Sequence, residues 1–119
     1  MALYAFYGIF TSVATRDACF HDDYEVIQNA VSVPNWERNY DYGPARLIRK
    51  PGSSVLITIC DLGPSAASYA DQIEGVHRGM YRRDTALNVF GDDWPSDAIT
   101  SCDPAAVTVY MMCNVKEDE

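Results

Sequence analysis

No run of apolar residues in this 119-residue chain approaches the ~18 needed to cross a bilayer as a helix, which argues against a membrane span. The apolar start MALYAFYGIF carries no basic flank, is broken by Gly8 and reaches Arg16-Asp17 without a small-residue cleavage site. It is therefore expected to be a strand of the mature fold, and the chain is expected in the cytoplasm or elsewhere inside the cell unless a leader has already been removed. Basic residues are scarce: nine Lys and Arg against seventeen Asp and Glu leave a net charge of −8, which repels phosphate backbones and anionic lipid. Neither nucleic acid nor a membrane is expected as a partner. Cysteine is limited to Cys19, Cys60, Cys102 and Cys113, with no paired CxxC spacing, so neither a zinc site nor a disulfide frame is expected. Their apolar flanks make Cys60, Cys102 and Cys113 small hydrophobes of strands.

What is present is ordinary globular material, 48% apolar and 22% charged, in a length that suits one domain spanning 1–119. Val55 to Cys60 and Ala106 to Met112 are β-branched or aromatic runs bounded by turn residues, and both read as strands. Ala2 to Phe10, Ala45 to Arg49 and the alternating Ala86 to Phe90 read the same way. Asp22-Asp23 is placed to cap a short helix over Tyr24 to Val31, and Tyr69 to Ile73 predicts a helical turn stopped by Gly75. Many short strands with few helices predict an all-β sandwich, with Val55, Ile57, Ile59, Val107 and Val109 in its core and Trp36 and Trp94 at least half buried. The basic groups Arg46/Arg49/Lys50 and His77/Arg78/Arg82/Arg83 read as solvated edges.

One order of features occurs twice. Trp36 leads into a polar turn, the strand Ala45 to Arg49, the turn Lys50-Pro51-Gly52-Ser53 and the strand at Val55. Trp94 leads into Pro95-Ser96-Asp97, a short strand Ala98 to Cys102, the turn Asp103-Pro104 and the strand near Val107. Together with Ser96-Asp97-Ala98-Ile99-Thr100-Ser101, this resembles the βγ-crystallin family, whose domains pair two Greek-key motifs. The resemblance implies a first motif over about 2–52, a second over about 53–103, an extra C-terminal strand over 106–113 and an acidic tail at 116–119. It also implies a weak calcium site formed by Asp97, Thr100 and Ser101. The matching half-site at Asp41 would be degenerate, because alanine and arginine follow where hydroxyls belong. Calcium is the one cofactor implied, and the expected role is non-enzymatic: structural, abundance-related or stress-related.

Two further readings remain open at this stage. Trp36, Trp94, Tyr40, Tyr42, Tyr69 and Tyr81 would suit a lectin-like or immunoglobulin-like binding module if they cluster on the surface. Cys19-Phe20-His21-Asp22-Asp23 holds nucleophile, base and orienter types for a hydrolase, although sequence neighbours rarely have that geometry. An exposed sheet face would offer a route to a homodimer, and no small-molecule ligand is implied.

Overall fold

Residues 2–99 and 102–115 are described by a computed structural model of the chain. The alternation Leu3-Tyr4-Ala5-Phe6 builds β1 (Ala2–Phe6), which sits at the centre of a five-stranded mixed sheet. Its fellow strands are β2 (Tyr24–Asn39), β3 (Arg46–Leu62), β4 (Tyr81–Thr85) and β5 (Val107–Met112), in the order β2-β3-β1-β5-β4. β1 runs antiparallel to β3, with Tyr4 opposite Cys60, but parallel to β5, with Leu3 opposite Val107. Alternate side chains leave the sheet on opposite faces, so it carries two cores. Tyr4, Phe6, Cys60, Leu62 and Tyr110 face α1 (Val13–Phe20) and α2 (Pro64–Ile73), where Phe10, Phe20, Ala66 and Ala70 close an aromatic layer. Ala5, Ile57, Ile59, Val107 and Val109 face the other way, under Trp36, Trp94 and α3 (Ala86–Phe90).

The all-β Greek-key sandwich expected from the sequence is therefore wrong: the protein is a mixed α+β fold with three helices among the described residues. Tyr24 to Val31 forms the first half of β2 and not a helix. The acids expected to cap it are used elsewhere, since Asp23 Oδ2 accepts from the Ala66 amide at 2.8 Å and caps α2 from 43 residues away. Gly63 lies so close to that carboxylate that a Cβ there would sit 1.9 Å from Asp23 Oδ1. Ala86 to Phe90 is likewise helical and not a strand, begun by the Thr85 hydroxyl accepting from Asn88 N at 3.1 Å. Over five residues a helix and a strand place Ala86 and Phe90 on one face alike, so periodicity alone does not separate them. β1 ends at Phe6, short of the expected Phe10.

The two strands expected at Ala45 to Arg49 and Val55 to Cys60 are one strand, β3, and the Lys50 to Ser53 turn is a bulge within it. Pairing passes from Pro34↔Ser54 to Trp36↔Arg49, leaving Pro51 and the left-handed Gly52 (φ 89°) outside the ladder, where proline is tolerated. Trp36 lies on β2 while Trp94 follows α3, so they are not equivalent points of a repeat. Both pack on Phe90, at ring distances of 5.4 and 5.9 Å, and are 9% and 4% exposed. The five aliphatic residues expected in the core are all buried there. Cys60 and Cys102 are buried, Cys19 and Cys113 half-buried, and none of the four forms a disulfide; burial pushes Cys60 up to about 11.

Candidate active site

A cavity of about 150 Å³ opens where β1 leaves the sheet, between the aromatic core and the end of α2. Four segments build it: Ala5 to Phe10, Pro44-Ala45 before β3, Ile73-Glu74 at the end of α2, and Met80-Tyr81 entering β4, with Tyr110 of β5 behind them. Its walls are apolar and aromatic, and Glu74 is the one carboxyl among the residues lining it.

Glu74 is held there by the way α2 stops. Its N–H bonds Ala70 O at 2.9 Å as the last helical link, and Gly75 follows in the left-handed conformation (φ 66°) that ends a helix. A side chain at Gly75 would be strained and would meet Met80 Sδ at 2.8 Å and Arg78 Nη2 at 3.1 Å. A carboxyl at a helix C-terminus meets the negative end of the helix dipole, the less favourable place for it. Burial among the aromatic rings is the cause that pushes the Glu74 carboxyl up to about 7. No hydrogen bond or ion pair holds it among the described residues, so its oxygens are open to an occupant of the cavity.

Three tyrosines frame this carboxyl, and each hydroxyl is already committed. Tyr7 OH donates to Tyr110 O at 2.5 Å, Tyr81 OH donates to Ala45 O, and Tyr110 OH donates to Asp71 Oδ1 at 2.7 Å. Burial raises all three, Tyr81 to about 12, and the nearby Glu74 charge adds to each. They stay neutral at physiological pH and leave Glu74 as the group that titrates.

The segment Tyr7-Gly8-Ile9-Phe10 has its carbonyls drawn away from the cavity. Tyr7 O accepts from Arg38 Nη1 at 2.9 Å and Phe10 O from Arg16 Nη1 at 2.9 Å. Gly8 O accepts from Thr11 N at 3.1 Å and Thr11 Oγ1 at 2.7 Å, and Ile9 O from Ser12 N at 3.2 Å. Ile9 and Phe10 line the cavity and open the 3-10 turn Ile9–Thr11, whose first amides have no acceptor within the turn itself. Arg16 is only 3% exposed and has no carboxylate partner among the described residues; its guanidinium stacks 5.8 Å from the Tyr24 ring, and Nε has no partner. Burying a charge this way is costly, and its visible return is a fixed Phe10 carbonyl.

The sites expected from the sequence lie elsewhere. Asp97 is exposed in the turn after Pro95, and Asp41 is exposed in the β2–β3 turn, its amide donating to Asn39 Oδ1 at 3.0 Å. Thr100, Ser101 and the acidic tail 116–119 lie outside the described residues. No group of three or more His, Cys, Asp or Glu side chains gathers among the described residues. The paired motifs on which that expectation rested are not there. Cys19 and His21 line a hollow between α1 and α2 with Ser65 and Tyr69, while Asp23 caps α2; no acid among the described residues bonds the histidine. Trp36, Trp94 and Tyr81 are buried, leaving only Tyr40 and Tyr42 exposed in the β2–β3 turn and Tyr69 exposed on α2, which does not support a lectin-like or immunoglobulin-like face built from all six rings. No helix among the described residues is long and apolar enough to cross a membrane.

No family model matches the chain, and no curated protein matches it. Solved structures do. An uncharacterized human protein known from ensemble refinement of a crystal structure superposes over 97% of this chain and 68% of its own, with a TM-score of 0.67 at 17% identity. A γ-glutamyl cyclotransferase matches over 97% and 68%, with a TM-score of 0.56 at 17% identity. A protein from Arabidopsis thaliana, solved in solution, matches over 98% and 73%, with a TM-score of 0.55 at 14% identity. The resemblance to βγ-crystallins is thereby overturned, and with it the expectation of a non-enzymatic structural or stress role with weak calcium binding: the chain shares its fold with a γ-glutamyl cyclotransferase, which is an enzyme.

Proposed function

We propose that the protein is an enzyme of the same reaction type as that structural neighbour, releasing an amine from a γ-glutamyl amide while the glutamyl part closes on itself. The observation that carries this reading is Glu74: a half-buried carboxyl lining an apolar cavity, without a hydrogen-bond or ion-pair partner among the described residues and pushed up to about 7, is suited to take and return a proton at neutral pH.

The chemistry asks for little else. The α-amino nitrogen of the γ-glutamyl group attacks its own side-chain carbonyl carbon, forming a C–N bond and a five-membered lactam, 5-oxoproline. Glu74 as carboxylate takes a proton from the α-ammonium group. The same proton goes to the departing nitrogen as the amide C–N bond breaks. The second proton, shed by the ring nitrogen as it becomes a lactam N–H, passes to the released amine, so the amine leaves as an ammonium ion and the carboxyl ends as it began. Negative charge gathering on the carbonyl oxygen needs donors, and the first-turn amides of Ile9 and Phe10, two residues that line the cavity, would supply them. The committed tyrosine hydroxyls keep the wall rigid and the cavity apolar, which strengthens both effects.

The test is incubation of the protein with γ-glutamyl methylamide and analysis of both products. Methylamine and 5-oxoproline in equal amounts are expected. Methylamine with free glutamate would show hydrolysis in place of cyclisation, and no turnover of any γ-glutamyl amide would refute the reading.

A further inference from the structure

If the cavity accepts a γ-glutamyl amide, the departing amine must leave through its mouth, and the mouth has a definite chemistry. Ile9, Ile73 and Met80 all line the cavity, yet they stay 56%, 39% and 41% exposed. They come from three separate elements: the 3-10 turn after β1, the last turn of α2 and the residue before β4. Pro44 adds a fourth apolar surface from the turn before β3. Scattered exposed apolar residues are ordinary, but several converging on the rim of one cavity mark a surface that an apolar ligand covers.

The rim also lacks the means to hold an anionic leaving group. No basic side chain is among those lining the cavity. Arg78 contacts Met80 with Nη2 3.5 Å from Sδ, but it is exposed and does not line the cavity. Arg46 lies 4.9 Å from the Tyr42 ring with its Nε on Asn39 Oδ1, and Arg38 and Arg16 are turned toward the backs of Tyr7 and Phe10. With a net charge of −8 around it, a leaving group carrying a carboxylate would be repelled without a counter-cation.

We propose that the substrate is a γ-glutamyl amide of an amine with an apolar side chain, and that Ile9, Ile73 and Met80 form the collar that selects it. This rests on the γ-glutamyl reading of the cavity and adds to it the class of amine released. Selection works through transition-state binding: each methylene held against the collar raises kcat/KM, while a carboxylate or ammonium in the same place loses its hydration.

The experiment compares three substrates on the full chain: γ-glutamyl-n-butylamide, γ-glutamyl-glycine, and the γ-glutamyl amide of 1,4-diaminobutane, whose leaving group ends in an ammonium. The butylamide is expected to have the highest kcat/KM, by at least about tenfold over both others. In the double variant Ile73→Gln, Met80→Gln that ratio is expected to fall toward one, while Leu87→Gln, an exposed apolar residue on α3 away from the cavity, leaves it as in the wild type. Equal or better use of γ-glutamyl-glycine or of the ammonium-ended amide would overturn the proposal while leaving the cyclising reaction intact. The wild-type ratios decide this even if the double variant does not fold. No turnover of any of the three would refute the underlying reading and the proposal with it.

Discussion

Glu74 and Asp93 are both acids at the ends of short elements, and their surroundings could hardly differ more. Asp93 takes a bond from Asn35 Nδ2 at 3.0 Å, from Arg49 Nη1 at 2.6 Å and from Trp36 Nε1 at 3.1 Å, and these donors hold its carboxyl below the usual carboxylate range. It is a bolt, tying the turn after α3 to the bulge of β2 where Asn35 stands at φ 69°. Glu74 has none of these donors, sits at the unfavourable end of a helix, and is pushed up by burial. One carboxyl is satisfied and stabilising; the other makes no hydrogen bond to the protein among the described residues and lines a cavity that gives it access to a ligand. A position that breaks local rules without any structural gain is where function is expected.

This contrast can be broken at either end. The largest effect is expected from Glu74→Gln, which keeps shape but removes the proton carrier: turnover of a γ-glutamyl amide should fall by about 10³-fold with the circular dichroism spectrum unchanged. Next, Gly63→Ala forces a methyl against the carboxylate that caps α2, and denaturant unfolding should show a loss of about 2–3 kcal/mol. Glu74→Gln should also change stability, with a sign opposite to most core changes. The folded carboxyl keeps its proton up to about 7, whereas the unfolded chain releases it near 4.5, so the wild type loses stability as pH rises between those values. At pH 8 the glutamine variant should be the more stable by about 2 kcal/mol, and near pH 4 the two should coincide, as read from urea midpoints. The smallest effect is expected from Asp93→Asn. Its lowered carboxyl stabilises the fold at neutral pH and loses that contribution as pH falls below about 4, so the variant should melt a few degrees lower at pH 7, converge with the wild type in acid, and turn over substrate unchanged.

Which parts of this were legible in the sequence follows from what each signal measures. Apolar, β-branched runs located β3 and β5 and their buried residues, because burial of aliphatic side chains depends little on how strands are ordered. Helix against strand failed at Tyr24 to Val31 and at Ala86 to Phe90, where the deciding contacts come from elsewhere: Asp23 serves a helix 43 residues on, and Thr85 caps a helix too short for its period to show. The double Trp pattern was real in order but not in space, since Phe90 joins both rings in one cluster. The site was harder still. Tyr7-Gly8 was read as part of a strand, and Glu74 drew no notice, although Ile73-Glu74-Gly75 holds the one available clue: an acid as the final residue of a helix before a stop glycine. Its burial depends on Tyr7, Tyr81 and Tyr110 arriving from three different strands or their ends, which no local pattern records.

The claim on which the account turns is that the half-buried carboxyl at position 74, which has no partner among the described residues, exchanges its proton at neutral pH. Carbon-13 nuclear magnetic resonance of side-chain-labelled glutamate, with the Glu74 signal assigned by its loss in Glu74→Gln, measures this directly. A titration midpoint near 7 is the expected result. A midpoint at the ordinary value near 4.5 would contradict it and leave the cavity without its proton carrier.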